Sequence, residues 1–378
     1  MQPTLWQLTG YFFRLGATGF GGAYALVAMM RNDLVEGRKW FSASEYEEGF
    51  AFSQIAPGPV APQLAMYLGY GRYGILGATL SLLAFIFVPF LLVVGLAVLY
   101  RTYGELKLLS GILYGIAPAV VALVAHAAAK LGHGMLRGWL HYLIAVLAFL
   151  TAIFLHVDLS FLIIGAGLVG MLLAIRRHFG IACLGVIPLT AAATLFFQKL
   201  SESFGSLLVK LGWFFFKAGA LTFGSGYVIV AFMQKAVVDD YGWLTTRQFL
   251  DGVAAGQITP GPVVITSSFV GYMVAGFPGA LVSTVSVFAP VYLITILLAP
   301  LVSKYRTNEI VRGFMTGANA AAVGAIAGVA VLMGEGAVTG WPTALIAVGS
   351  VAALYFWDVS SIVLVAAAGG VGALLAVS

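Results

Sequence analysis

The sequence predicts an all-α polytopic membrane protein with two inverted-topology repeats, containing broken or re-entrant helices and about 10–13 membrane segments. Three observations lead there. Of the 378 residues, 61% are hydrophobic and 9% charged, with a mean hydropathy of +1.02. A soluble domain carries about 25% charged residues, so a water-soluble enzyme is excluded. The apolar residues come in blocks of roughly 17–26, enough to cross about 30 Å of hydrocarbon as helix and too long for the alternating strands of a barrel. Finally, residues 12–60 match residues 215–263 without a gap, and about 20 of the 49 positions are identical.

Other features narrow the class further. Forty-seven glycines and 13 prolines imply helices that are closely packed, broken, or both. Net charge is +5, but Lys and Arg are scattered singly between apolar blocks, which orients loops and builds no nucleic-acid surface. Cys183 is the one cysteine and has no metal-ligand neighbour in sequence, so no disulfide, metal or cofactor is predicted. The N-terminus lacks the charged start and cleavage site of a signal peptide.

Apolar segments are expected over 8–30, 50–70, 74–100, 108–130, 139–156 and 159–175 in the first half, and over 207–231, 253–272, 276–302, 310–334, 341–357 and 360–377 in the second. An unmatched stretch over 178–198 joins them. The chain therefore divides into an N-terminal repeat 1–177, a linking segment 178–206 and an inverted C-terminal repeat 207–378.

The first segment of each half carries a glycine cluster, Gly19-Phe-Gly-Gly22 and its copy Gly224-Ser-Gly226. Such a run breaks a helix, and the half-helix that follows points bare N–H groups and a partial positive charge at whatever lies beyond, which suits an anion. Gly21, Gly22, Gly224 and Ser225 are thus candidate binding positions. Arg14 and Lys217 lie about two turns before the break and either draw an anion inward or snorkel to the interface. Next come polar stretches, Trp40 to Glu48 and Trp243 to Asp251, in which Ser42 with Glu45 and Thr245 with Gln248 have capping-box spacing. Glu48 and Asp251 are matched acids, read as proton-coupling candidates or as interfacial charge.

The second segment contains Gln54-Ile-Ala-Pro57-Gly58-Pro59, matched by Gln257-Ile-Thr-Pro260-Gly261-Pro262. Proline at a helix start gives up an N–H that has no partner there, so these turns supply a second pair of helix ends, with Gln54 and Gln257 as amide donors to an oxyanion or to the broken backbone. Whether these segments cross or re-enter is open from sequence. In the third segment Pro89 falls on Pro290. In the fourth, Gly111 and Gly115 fall on Gly313 and Gly317, small-xxx-small spacings that let membrane helices approach closely. His126 in that span is a further proton candidate without a counterpart, and Asn319 either lines the pathway or bonds a neighbouring helix. Trp6, Trp139, Trp213 and Trp341 sit at segment ends as interfacial anchors.

Re-entrant second segments leave about five spans per half and put most Lys and Arg on one side; a fully crossing model has about 13 spans and a weaker split. Both invert the second half and leave the C-terminus outside. Inverted repeats with broken helices are the sequence sign of a secondary transporter whose site lies at the midplane. No Ser/His, paired-Asp or His-Glu-x-x-His arrangement occurs in the spans, so an intramembrane enzyme is not predicted.

Phe20-Gly-Gly22, Ala56-Pro-Gly-Pro59, their echoes in the second half and Gly317-Ala-Asn-Ala-Ala-Ala-Val-Gly324 together resemble the chromate ion transporter family over essentially the whole chain, as a long two-domain member. The resemblance implies an inner-membrane protein that exports chromate, with sulfate as analogue and the proton-motive force as driver. A sulfate or other oxyanion uptake carrier would share every motif. The implied site residues are Gly21, Gly22, Pro57, Gly58, Pro59, Gly224, Pro260, Gly261, Pro262, Gly317 and Asn319. Pro118, where the Asn-Ala-Ala run is missing, and Ser225 depart from the pattern and leave the halves unequal. A homodimer is compatible with these features.

Overall fold

The computed structural model describes residues 2–104, 106–155, 158–179, 206–223, 226–301, 308–357 and 359–377. Most of the linking segment, Cys183, Gly224 and Ser225 lie outside them. Among the described residues there are helices and no strands.

Each half begins with two helical hairpins. Helix α1 (Leu5–Thr18) is capped by a Thr4/Gln7 box and leaves helical geometry at Gly19; α2 (Gly22–Arg31), continued by a π turn at Asn32–Gly37, then runs back. The reversal follows from contacts: Tyr11 lies 6.3 Å from the Trp40 ring, and the Arg38 guanidinium is 5.5 Å over Tyr11. In a continuous helix Tyr11 and Arg38 would be about 40 Å apart. Gly21 and Gly22 take φ of 105° and 79°, backbone that favours glycine, at the point of reversal.

Helix α3 (Ala43–Ile55) and the first arm of α4 (Val60–Tyr103) form the second hairpin around Pro57-Gly-Pro59. Arg72 returns to Glu45 at 2.8 Å, closing its base. At Tyr73–Gly74 the chain reverses again, with Gly74 at φ 57°, and the long arm of α4 begins. Gly69 and Gly77 meet there backbone to backbone, and a Cβ on either would collide with the other's carbonyl.

The second half repeats this construction. Helix α8 (Leu207–Ala220) is followed by α9 (Val228–Met233) with its π turn, and Phe214 packs 6.2 Å from Trp243. Helix α10 (Thr246–Ile258) pairs with the first arm of α11 (Thr266–Leu298), where Gly252 faces Phe269. Gly276 has φ 64°, and Ser283 Oγ donates to the Ser267 carbonyl at 2.8 Å across the reversal. Both expected capping boxes are present.

Two corrections follow. The first segment of each half, expected as one interrupted span, doubles back and does not cross. The reason is packing: Gly16 lies against the Phe85 carbonyl and Gly219 against the Val287 carbonyl, so α1 and α8 dock backbone to backbone on the long arms of α4 and α11. These contacts also set Pro89 opposite Val291 in the repeat, one residue from the Pro290 expected, because the register shifts only once, by one residue between Val60 and Gly69, and Pro290 would need a second shift.

Helices α5 (Lys107–Met135), α6 (Trp139–Phe154) and α7 (Leu159–Phe179) complete the first half; α12 (Glu309–Ala337), α13 (Trp341–Trp357) and α14 (Ser361–Val377) complete the second. They exchange partners. Helices α6 and α7 pack on α12, and α13 and α14 pack on α5. The small-xxx-small glycines permit this: a Cβ on Gly115 would strike the Ala368 carbonyl, and one on Gly317 the Ala166 carbonyl. Among the described residues four helices are long and apolar enough to cross a membrane: Val60–Tyr103, Leu109–Met135, Val263–Leu298 and Glu309–Ala337.

Inversion can be read from side-chain bonds. Tyr73 Oη donates to the Pro3 carbonyl, so the N-terminus and the base of the first hairpins share one face, termed near. Tyr100, at the other end of α4, donates to Asp251, and Arg247 donates to Ser110 at the start of α5. The second-half hairpins therefore enter from the opposite, far face. Ala376 meets Gly111 on that same face, so the C-terminal helix ends opposite the N-terminus.

Candidate functional site

Hairpins entering from opposite faces bring their tips together at mid-depth. The Gly58 N–H donates to the Thr222 carbonyl at 2.6 Å, and the Gly261 N–H donates to the Gly19 carbonyl at 2.9 Å. Positions 58 and 261 are equivalent, as are 19 and 222, so each Pro-Gly-Pro turn is bonded to the glycine break of the other repeat. Around this crossing a small cavity of about 20 Å³ is lined by Ala23, Pro59, Ala61, Pro62, Gly226, Tyr227, Pro262 and Val263. Such a volume holds about one water, so nothing larger fits between the tips in this arrangement.

The polar groups near the tips are unequal between repeats. Gln257 is buried, accepts from Tyr227 Oη at 3.2 Å through Oε1, and its Nε2 has no hydrogen-bond partner. Its counterpart Gln54 is exposed, as is Tyr24, the counterpart of Tyr227, at 41%. Gln63 is fully buried beside Gly58; its Nε2 donates to the Pro57 carbonyl at 3.3 Å and its Oε1 is unpaired. Asn319, in mid α12, also has a buried unpaired Oδ1, on a helix that packs against α9 behind the tip. Unpaired buried amides of this kind cost about 1–3 kcal/mol each.

The other sequence candidates fall outside the crossing. Lys217 is ion-paired with Asp158 in the α6–α7 loop, so its charge is matched by a partner 59 residues away. Arg14 is exposed on α1. Neither lines the cavity, since each sits more than a turn before its tip. Asp251 is 3% exposed and accepts from Tyr100 Oη at 2.9 Å near the far face. Glu48 is half-buried and lines a cavity of about 220 Å³ on the near side with Glu45, Tyr67, Tyr70 and Arg72. There the Arg72 guanidinium, bonded to both Glu45 oxygens, holds that carboxyl below the usual range. His126 is half-buried on α5, away from the tips. Among the described residues no group of His, Cys, Asp and Glu could hold a metal ion.

Sequence reasoning did not find the Gly19 and Thr222 carbonyls, Gln63 or Asp158. Tyr24 and Tyr227 stood in the repeat as an identity, which was signal enough to name them; the carbonyls left none.

The chromate transporter family model matches residues 6–171 and 209–373, the two halves separately. A probable chromate transport protein of Synechococcus elongatus is 42% identical over 97% of this chain and 95% of its own length. A chromate transport protein of Cupriavidus metallidurans is 41% identical over 98% and 92%. An uncharacterised transporter of Methanocaldococcus jannaschii is 30% identical over 83% and 80%. No solved structure matches the chain. Two matched repeats, apolar helices in number and full-length relatives carry one conclusion: the chain is a multi-pass membrane protein and belongs to the chromate transporter family, a family of transporters and not of enzymes.

Proposed function

We propose that this protein carries chromate out of the cell across the inner membrane, driven by the proton-motive force, with sulfate as a competing analogue. The observation that carries the reading is the convergence of four helix breaks, two from each face, on one mid-depth crossing. A tetrahedral dianion is costly to strip of water. The helix starts at Gly22 and Val60, the Gly58 and Gly261 N–H groups and the Gln257 amide supply donors without a full charge, and Pro57, Pro59, Pro260 and Pro262 keep the turns from closing into helix. Gln54, Asn319, Gly224 and Ser225 are the further positions assigned to the ion's path. Asp251 and Glu48 are the proton carriers in this reading, matched acids near opposite faces; His126 ranks behind them for want of a counterpart. Arg14 contributes field and not contact, while the charge of Lys217 is matched by Asp158.

Arg31, Arg38, Lys39, Arg72, Lys130, Arg137 and Arg312 belong to the near face, against Arg101, Lys107, Lys210, Lys235 and Arg247 on the far side. The excess supports a cytoplasmic near face. The experiment is flux of radiolabelled chromate in inside-out vesicles, with and without a pH gradient and with excess sulfate. Gradient-dependent uptake that sulfate reduces is expected. Absence of chromate movement under any gradient overturns the assignment, and sulfate movement inward without chromate export favours an uptake carrier.

A further inference from the structure

The two repeats share a construction but not a burial pattern, and the difference is directional. In the second half, every residue of α10 from Phe249 to Gln257 is buried, because the helix packs on α5, α12 and α14. In the first half the equivalent α3 packs on α4, with Glu47 and Gln54 exposed and Glu48, Phe50, Ala51 and Ile55 half-buried. On the far face a Cβ on Gly336 would meet the Thr246 methyl at 2.6 Å. The equivalent pair on the near face is Gly134 with Ala43, where Gly134 faces open space and Ala43 is exposed. Gln54 stands three residues before Pro57 at the tip of its hairpin, deep in the membrane, and a primary amide exposed there faces water and not lipid.

One polar pair fits the same relation. Arg247 Nη2 donates to Ser110 Oγ at 2.7 Å and to the Ser110 carbonyl at 3.3 Å, tying the α10 hairpin to α5 on the far face. The repeat maps Arg247 on Ser44 and Ser110 on Arg312, so the near face has the same two residue types with their positions exchanged. There the hydroxyl is on the hairpin and the cation on the long helix. Both Ser44 and Arg312 are exposed, and neither makes a side-chain bond to the other. In an inverted repeat, letting each half adopt the other's conformation generates the opposite state.

We propose that Ser44 and Arg312 are the near-face latch of this carrier, which forms when the Arg247–Ser110 latch on the far face opens. The structure is then the near-open member of the pair, with a water-filled vestibule along α2 and α3 reaching Gln54 and Tyr24. On closure Ala43 seats on Gly134 as Thr246 now seats on Gly336, and Gln54 becomes buried as Gln257 is now. Each latch joins one cation to one hydroxyl and carries no ion pair, so neither holds its face shut permanently. The inference rests on the carrier reading above, but its test requires no transported ion.

The test uses a Cys183→Ser background carrying Gln54→Cys, labelled with a membrane-impermeant maleimide in right-side-out and inside-out vesicles. Labelling from the near face alone is expected. Adding Ser44→Asp, at an exposed first-turn position that a carboxylate suits, gives Arg312 an ion-pair partner and should slow labelling at least fivefold; adding Arg312→Ser should restore the rate. Ser110→Asp, strengthening the far latch, should leave labelling as fast or faster. Equal labelling from both faces, no labelling, or a rate that Ser44→Asp does not change would overturn the latch. Chromate flux by the unsubstituted protein reports separately on the carrier reading, so either result can fail while the other stands.

Discussion

Replacing Gly261 by alanine tests the tip packing most directly. Gly261 has φ 97°, and a Cβ there would lie 2.5 Å from Pro89 Cγ and 3.1 Å from its Cβ. The left-handed backbone costs an L-residue about 1–2 kcal/mol. Overpacking against a rigid ring that cannot change rotamer adds about 1–3 kcal/mol. The sum is about 2–5 kcal/mol, and any relief by backbone movement stretches the 2.9 Å bond from Gly261 to the Gly19 carbonyl. Gly242 is the control. Its φ is 59°, close to the 53° that Lys39 takes at the equivalent position of the first repeat, and an added Cβ meets nothing within 4 Å, so Gly242→Ala should cost the backbone part alone, about 1–2 kcal/mol. Denaturant unfolding of both variants in detergent micelles, followed by far-UV circular dichroism, measures the difference. An excess of about 1–3 kcal/mol for Gly261→Ala is expected, about 5–150-fold in the unfolding constant. Equal destabilisation of the two variants would refute the close packing of the Pro-Gly-Pro turn against the opposite repeat.

Gln54→Ala should leave stability within about 0.5 kcal/mol, as for other exposed substitutions, while lowering chromate flux; unchanged flux would remove that amide from the ion's path. Gln257→Ala deletes the buried acceptor for Tyr227 and should lower both flux and stability, the latter by about 1–3 kcal/mol in micelle unfolding. Lys217→Ala leaves the Asp158 carboxylate without its cation and should destabilise by about 1–3 kcal/mol, less than a fully buried pair because both side chains are partly exposed; Arg14→Ala, without such a partner, should be close to neutral in the same assay. Glu45 is held below its ordinary value of 4.5 mainly by the hydrogen bond from Arg72, so its contribution is full above that value and is lost as pH falls through the depressed one. Glu45→Gln should therefore flatten the acid limb of micelle stability below about pH 4.5, and an unchanged limb would show that this pair does not set it.

The features legible in the sequence were those in which one residue type has one physical consequence. The glycine run Gly19–Gly22 and the Pro-Gly-Pro turns had to leave helical geometry, the capping boxes had to start helices, and the paired glycines had to bring helices together; all four are in the structure. What the sequence could not carry was the direction of the chain after each break. A span interrupted at Gly21 and a hairpin reversed there have the same hydropathy, and only contacts between the two arms, such as Tyr11 with Trp40, distinguish them. The role of Lys217 was hidden for a similar reason, since its position at the repeat's cation was visible and its partner Asp158 was not. The burial of Gln257 beside an exposed Gln54 is likewise invisible, because identical residues on matched helices differ only in what the long helices cover.

The cross-repeat bonds bear on how so weakly charged a chain could hold a dianion. Backbone N–H groups released by a break inside a membrane must find acceptors whether or not an ion is present. Here the acceptors are the Gly19 and Thr222 carbonyls, and each belongs to the repeat opposite the donor. On the carrier reading, an oxyanion entering the crossing competes with those two carbonyls, and it offers charge-assisted bonds roughly twice as strong as neutral ones. Taking the donors from the carbonyls releases one repeat from the other at both points. The ion could then bind tightly only as the tips part, so that occupancy and movement of the two halves become one event, achieved with the peptide backbone and without a buried cation.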